Sequence, residues 1–311
     1  MQVETIAAGV HRIDVHYLGK PKGIAACVLE SDAGLVLVDP GPTSSLRGLH
    51  AGLAALGMRM ADVTLLLLTH IHLDHAGAAG TLVAAQPGLR VGVHARGAPH
   101  LADPGRLLES ALRIYGGELD RLFGEVLPVP AHAIEILRGG ETLERGGRRL
   151  RIADAPGHAV HHLVCLDERS GTAFVGDTAG ERFAPADWVL PVTPPPDIDL
   201  EAWRTTLEAI RTMQPARLFL THFGPAVDAA AHLDRLEVNL DAWAQRVRAS
   251  LEEPGDDAAR AAAFVASVSA EIRAQVPAEV VSYYLGGGLT DSWYGLARYW
   301  RKRASSKPAL A

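Results

Sequence analysis

Four short apolar runs, each ending on histidine or aspartate, constrain this chain more than any other feature. Residues 65–68 lead into Thr69-His70-Ile71-His72-Leu73-Asp74-His75, 150–153 into Pro156-Gly157-His158, 173–175 into Gly176-Asp177, and 218–220 into Thr221-His222. A short apolar run bounded by turn residues reads as a buried strand, and in α/β folds ligands collect at strand ends. Four such ends meeting in one cleft predict an α/β metal-dependent enzyme. His70 and His72 are two residues apart and point the same way from an extended segment, while Asp74 and His75 follow where residues 76–79 begin a helix-like stretch. Imidazole and carboxylate donors suit zinc, manganese or iron, and seven of them exceed what one four-coordinate ion takes. Two divalent metal ions are the economical reading, zinc first, with manganese, iron or a mixed pair as alternatives.

The run His70-Ile71-His72-Leu73-Asp74-His75 resembles the HxHxDH signature of the metallo-β-lactamase superfamily, and His158, Asp177 and His222 match its later ligand positions in order. The resemblance covers about residues 5–225. It implies a four-layer αββα sandwich with the site at one edge of two sheets. By the same resemblance His70, His72 and His158 would hold a first metal, Asp74, His75 and His222 a second, and Asp177 would bridge them. Asp39, in Val38-Asp39-Pro40-Gly41, matches a position where an acidic residue supports the histidine ligands; a plain turn residue is the alternative. His162 is expected beside the ligands rather than among them, as glyoxalase II-like members repeat a histidine at that spacing, and His161 is weighed in the same way. His94 and His100 read as hydrogen-bonded structural residues, with His100 also a candidate for lining the cleft.

The 311 residues are 48% hydrophobic and 21% charged, enough for a large core. Residues 1–225 read as the catalytic domain with a helical insertion at about 95–130, 226–304 as a helical C-terminal subdomain, and 305–311 as a disordered tail. The insertion could be a lid over the site or a packing helix pair beside the core. The aromatic cluster from Tyr283 to Trp300 is expected to pack on the main domain, with a pocket wall or a homodimer contact as alternatives. The net charge of −6 and the lack of a basic run longer than Arg301-Lys302-Arg303 argue against a nucleic-acid partner. No apolar run reaches the roughly 18 residues of a membrane span, and no leader pattern opens the chain. Cys27 and Cys165 sit in strand-like runs as reduced core residues, so a cytoplasmic enzyme with a small-molecule substrate is the expectation.

The implied chemistry is hydrolysis by a metal-bridging hydroxide, with Asp74 handling the leaving-group proton and Asp177 held between the ions. The ligand set resembles glyoxalase II-like thioesterases and quorum-quenching lactonases, which implies a carboxylic ester, lactone or thioester as substrate, with phosphotriesters as promiscuous ones. Asp177 stands where true β-lactamases of the superfamily lack a bridging aspartate, so antibiotic hydrolysis is not expected. Gly180 stands where many lactonases carry a tyrosine, and no basic glutathione-binding cluster is evident in the C-terminal part. The alternative reaction class is a mononuclear-iron persulfide dioxygenase, and a third is a non-catalytic binding module. Tyr17, Lys20 and Lys22 in an early loop, with Phe183 and Trp188 after Asp177, are the candidate substrate contacts. A wall built of those two aromatics would favour lactones and neutral esters over anionic nucleotides.

Overall fold

A computed structural model describes residues 2–286 and 288–306. Seven strands form one sheet in chain order: β1 (Val3–Ala7), β2 (Val10–Asp14), β3 (Ala25–Leu29), β4 (Leu35–Val38), β5 (Val63–Leu67), β6 (Arg90–His94) and β7 (Ile134–Leu137). Six more, β8 (Thr142–Arg145), β9 (Arg148–Asp154), β10 (Leu163–Asp167), β11 (Thr172–Phe174), β12 (Arg217–Leu220) and β13 (Gly224–Ala226), form a second sheet in the order β13-β12-β11-β10-β9-β8. The helices are α1 (Leu46–Ala55), α2 (Leu73–Ala76), α3 (Ala79–Ala85), α4 (Ala98–Ala102), α5 (Gly105–Tyr115), α6 (Leu119–Phe123), α7 (Leu200–Thr212), α8 (Ala229–Ser250), α9 (Asp257–Gln275), α10 (Val281–Leu285) and α11 (Leu289–Ser306). Strands β4 to β7 run parallel, as do β11 and β12, and the remaining pairs are antiparallel.

The unbroken apolar runs are explained by burial on both faces of each sheet. On β3, Ala25, Cys27 and Leu29 enter the layer between the sheets while Ala26 and Val28 face outward toward Leu49 and Leu53 of α1 and Leu82 and Val83 of α3. The second sheet mirrors this: Leu163, Cys165 and Phe219 join the inter-sheet layer, and Val164, Leu166, Leu218 and Leu220 face the helices of the other side. Two sheets with helices on both outer faces are the αββα sandwich expected from the sequence. Arg148 on β9 pins the sheets together, its buried guanidinium pairing with Asp167 at 2.6 Å and donating to the carbonyl of Gly9 at 2.6 Å.

The C-terminal region is helical, as expected, and packs on the second sheet. Its buried side chains, including Leu236, Trp243, Phe264, Tyr284 and Trp293, share one apolar cluster with α7 and with the outer face of β10 to β12. The last strand ends at Ala226 and α11 continues through Ser306, so helix replaces the first two residues of the expected tail; residues 307–311 lie outside the described residues. Among the described residues no helix is long and apolar enough to cross a membrane. Cys27 and Cys165 are both buried as free thiols.

Candidate metal centre

The chain turns sharply after β4, β5, β9, β11 and β12, and each turn delivers one part of the site. After β5, His70 and His72 join the donor cluster, while Ile71 between them packs into the core and also borders the cavity. His72 then precedes the first turn of α2, which brings Asp74 and His75 to the same cleft. His158 and Asp177 each follow a glycine that no other residue could replace without movement. A Cβ on Gly157 (φ +142°) would lie 2.5 Å from the Trp203 backbone, and one on Gly176 (φ +45°) 2.5 Å from Thr69 Oγ1.

Seven side chains converge as two groups. His70, His72, His158 and Asp177 each offer one ligand atom within 4.8 Å of the others, and so do Asp74, His75 and His222. His72 Nδ1 lies 3.0 Å from both His70 Nε2 and His158 Nε2. Asp177 stands between the groups: its Oδ2 is 3.6 Å from His158 Nε2 and 4.0 Å from His70 Nε2, while its Oδ1 is 3.1 Å from His75 Nε2 and 3.7 Å from His222 Nε2. Asp74 Oδ2 is 3.2 Å from His222 Nε2.

The surrounding hydrogen bonds fix which imidazole nitrogens are bare. His158 Nδ1 donates to the carbonyl of Val192 and His222 Nδ1 to that of Gly23, both at 2.8 Å, and a carbonyl only accepts. His75 Nδ1 donates to Asp39 Oδ2 at 2.8 Å. Thr69 Oγ1 gives its single proton to the same carboxylate oxygen at 2.7 Å, so at 3.1 Å it can only accept from His70 Nδ1. In their neutral forms all four histidines therefore turn a lone pair on Nε2 toward the cleft. One proton on His72 Nδ1 could satisfy His70 or His158 but not both. His75 Nε2 and Asp177 Oδ1 are buried and lack hydrogen-bond partners among the described residues. Converging lone pairs and orphaned acceptors fit divalent metal ions, whose ligands must be unprotonated.

Asp39 organises this array. It sits at the end of β4 with φ +45° and also accepts from the Thr69 amide at 2.8 Å and from Thr221 Oγ1 at 3.0 Å. One carboxylate thus holds the residues before His70 and before His222 as well as His75 itself, far more than a turn residue would do.

Electrostatically the two groups diverge. Burial, reinforced by neighbouring imidazoles, holds His70 well below the ordinary histidine range and brings His72 down to about 3. Burial also lowers His158, against the pull of Asp177. Around His222 burial acts in the same sense but Asp177, Asp74 and Glu181 outweigh it, raising the imidazole to about 10, and His75 is raised well above its usual range against burial by Asp177, Asp74 and Asp39. Asp74 goes to about 2, because His75 and the hydrogen-bonded His222 overcome its burial.

Four of the seven, His72, Asp74, Asp177 and His222, line a cavity of about 740 Å³. Its walls include Tyr17, Ile71, Leu107, Ala111, Tyr115 and Pro195. The insertion therefore roofs the site through α5 and α6, while Ala111 and Phe123 also pack against Leu73 of α2. Tyr17 is the one proposed substrate contact that lines the cavity. Lys20 is exposed, and Lys22 turns away, its amide bound to Asp14 Oδ2 at 2.8 Å and its ammonium 3.5 Å from the carbonyl of Ala184. Phe183 and Trp188 are corrections to the expected apolar wall: both are buried beneath the C-terminal helices. Phe183 stacks on Tyr283 with ring centroids 5.2 Å apart, and the Tyr284 hydroxyl donates to the Trp188 carbonyl at 2.8 Å. The helices after β13 need an apolar seat, and these two rings supply it.

His161 joins neither ligand group; it lines the cavity, and its ring centroid is 5.6 Å from that of His72. His162 stacks beneath His70 at 4.7 Å, a supporting position beside the ligands. His94 is tied to Asp154 at 3.2 Å, and His100 lines the cavity. Glu181 was not singled out from the sequence. It lines the cavity beside the carboxylate-rich group, and burial, with Asp177 and Asp74, pushes it up to about 7 despite His222. Its only local signal is a place four residues after Asp177, which a surface loop glutamate would share.

Comparison with known proteins agrees with the site. The sequence profile of the metallo-beta-lactamase superfamily matches residues 19–222. The chain therefore belongs to the metallo-beta-lactamase superfamily, whose members are mostly hydrolases. It is 26% identical over 221 residues to the metallo-beta-lactamase fold-containing protein ST1585 of Sulfurisphaera tokodaii, spanning 70% of this chain and 78% of that one. A hydroxyacylglutathione hydrolase of a Synechococcus species is 31% identical over 126 residues, 40% of this chain and 37% of that protein. The solved structure of the metallo-beta-lactamase family protein TTHA1429 from Thermus thermophilus shares the fold, with a TM-score of 0.67 at 23% identity, covering 90% of this chain and 89% of that one.

Proposed function

We propose that this protein is a dinuclear metal-dependent hydrolase of small-molecule carboxylic esters, lactones or thioesters, with zinc as the first candidate metal and phosphotriesters as promiscuous substrates. The observation that carries the reading is Asp177, whose two carboxylate oxygens each face a different ligand group. His70, His72 and His158 would hold one ion, Asp74, His75 and His222 the other, and Asp177 both. When bound, such ions acidify water to a nucleophile near neutral pH and polarise the acyl oxygen it attacks.

The chain's own side chains do the rest. Val192, Gly23, Thr69 and Asp39 lock four imidazoles in the tautomer that leaves Nε2 bare. Asp74 uses Oδ2 toward His222 and is partly open to the cavity, so its remaining oxygen is placed to pass a proton to a departing alkoxide or thiolate. The apolar roof of α5 and α6 excludes water from the acyl group. The thioester option draws support from the hydroxyacylglutathione hydrolase relative. Metal content per chain, followed by a panel of lactone, thioester and phosphotriester substrates, tests the reading. Two ions and ester-bond cleavage are expected, whereas a single iron with sulfur oxidation would replace it by the persulfide dioxygenase class.

A further inference from the structure

The cavity has two chemically different ends. Arg106 in the first turn of α5 and Tyr115 at its last residue both line it, so it extends along the helix from position 106 to 115, roughly 14 Å at about 1.5 Å per residue. At the far end Tyr115 lies with Tyr17 near Asp74, whose charge adds to burial in raising both phenols. Arg96, His100 and His161 line it as well, and Arg106 lies at the opposite end of α5 from Tyr115. Arg96 Nη1 donates to the carbonyl of Val160 at 3.3 Å, two residues past the ligand His158, which sets the guanidinium beside the imidazole-rich group. Between the ends the wall is apolar, with Ile71, Leu107, Ala111 and Val160.

Some arginines pair with carboxylates, as Arg121 does with Glu118, Arg145 with Glu135 and Arg182 with Asp228, and others, such as Arg217 and Arg298, donate to backbone carbonyls. Arg96 and Arg106 form no ion pair among the described residues, yet both face the same cavity. Both side chains are exposed to solvent where they line the cavity, so an occupant running from the metal ligands along α5 meets two solvated guanidiniums. A neutral group gains nothing from them, whereas an anionic oxygen group forms charge-assisted, often bidentate hydrogen bonds with them. The arrangement reverses the preference for neutral substrates that a Phe183 and Trp188 wall would have given.

We infer that the site takes amphiphilic acyl esters or thioesters bearing an anionic group, with the apolar segment along α5 and the anion held by Arg96 and Arg106. The inference rests on the hydrolase reading for the scissile bond alone; the anion subsite is defined without it.

The test is calorimetric binding to the metal-loaded protein of two amides matched in chain length, N-octanoyltaurine, which is anionic, and N-octanoylethanolamine, which is neutral. The wild type should bind the anionic amide about tenfold tighter or more. In the Arg96→Gln/Arg106→Gln protein the two affinities should become equal while the neutral amide binds as before, Arg96→Lys/Arg106→Lys should restore part of the preference, and Arg106→Glu should favour the neutral amide. Equal affinities in the wild type, a preference surviving the double glutamine change, or loss of both amides together would overturn the inference. Because both probes are read by binding and not turnover, an anion preference without hydrolysis of the corresponding ester would sink the reaction class and leave the substrate class standing. Hydrolysis without the preference would do the reverse.

Discussion

The two ligand groups differ in the charge their own side chains bring. His70, His72 and His158 are imidazoles that burial keeps neutral, so their lone pairs are presented without displacing protons. His75 and His222 face Asp74, Asp177, Asp39 and Glu181, and hold protons to a pH well above neutral. One half of the centre is therefore open to a cation at any moderate pH, and the other exchanges protons for it. The difference follows from where the carboxylates lie: Asp39 and Asp74 stand directly beside His75 and His222 of the second group, Asp39 reaching the first group only through Thr69, while Asp177 faces both groups.

The comparison is broken most severely by removing the shared residue. Asp177→Ala should lower hydrolysis by about 10²–10³-fold or more and reduce metal content toward one ion per chain, measured by turnover and plasma mass spectrometry. Retention of two ions with near-normal rates would show that Asp177 does not couple the groups. Asp39→Ala leaves three protein donors around Thr69 and Thr221 and the His75 Nδ1 proton without their acceptor. Metal affinity of the second group should fall by about 10–100-fold while the first group is affected less, and the thermal midpoint should drop. Equal weakening of both would contradict the one-sided wiring of His75.

Asp74→Asn keeps a ligand oxygen but loses a charge and the proton-accepting role. Turnover should fall far more than metal content, and proportional losses would remove the proton-handling assignment. The pH dependence sharpens the contrast further. With His222 raised to about 10 and His75 raised as well, each holds its proton below its own raised value, so affinity for the second ion should climb as pH rises from neutral toward about 10. The first ion should bind with little pH dependence above pH 4 to 5, as His72 is brought down to about 3. The smallest effect belongs to Glu181→Gln, which should erase an inflection near pH 7 from the kcat/KM profile and leave its maximum close to wild type. An unchanged profile would make Glu181 a bystander.

The clustering of the seven histidine and aspartate side chains was legible in the sequence because a donor set of this kind fixes residue type and spacing at once, and because the donors follow strands whose apolar runs are unambiguous. The substrate wall was not legible. Phe183 and Trp188 follow Asp177 closely, and nothing local reveals that Tyr283, Tyr284 and Trp243 would return from the C-terminal helices to bury them. Arg96, Arg106 and Glu181 carried no signal, since a charged loop or helix residue is read as solvated until the fold turns it toward a cavity. The insertion left two readings open because an amphipathic helix covers a core or a cleft with the same pattern, and only α5 lying over the ligands separates them.

The most direct test of a two-metal centre with unlike halves is calorimetric titration of the metal-free protein with zinc, repeated in buffers of different ionisation enthalpy. Two binding events are predicted, the first nearly independent of the buffer and the second releasing protons from His75 and His222. A single equivalent of zinc, or two events with the same proton release, would contradict it.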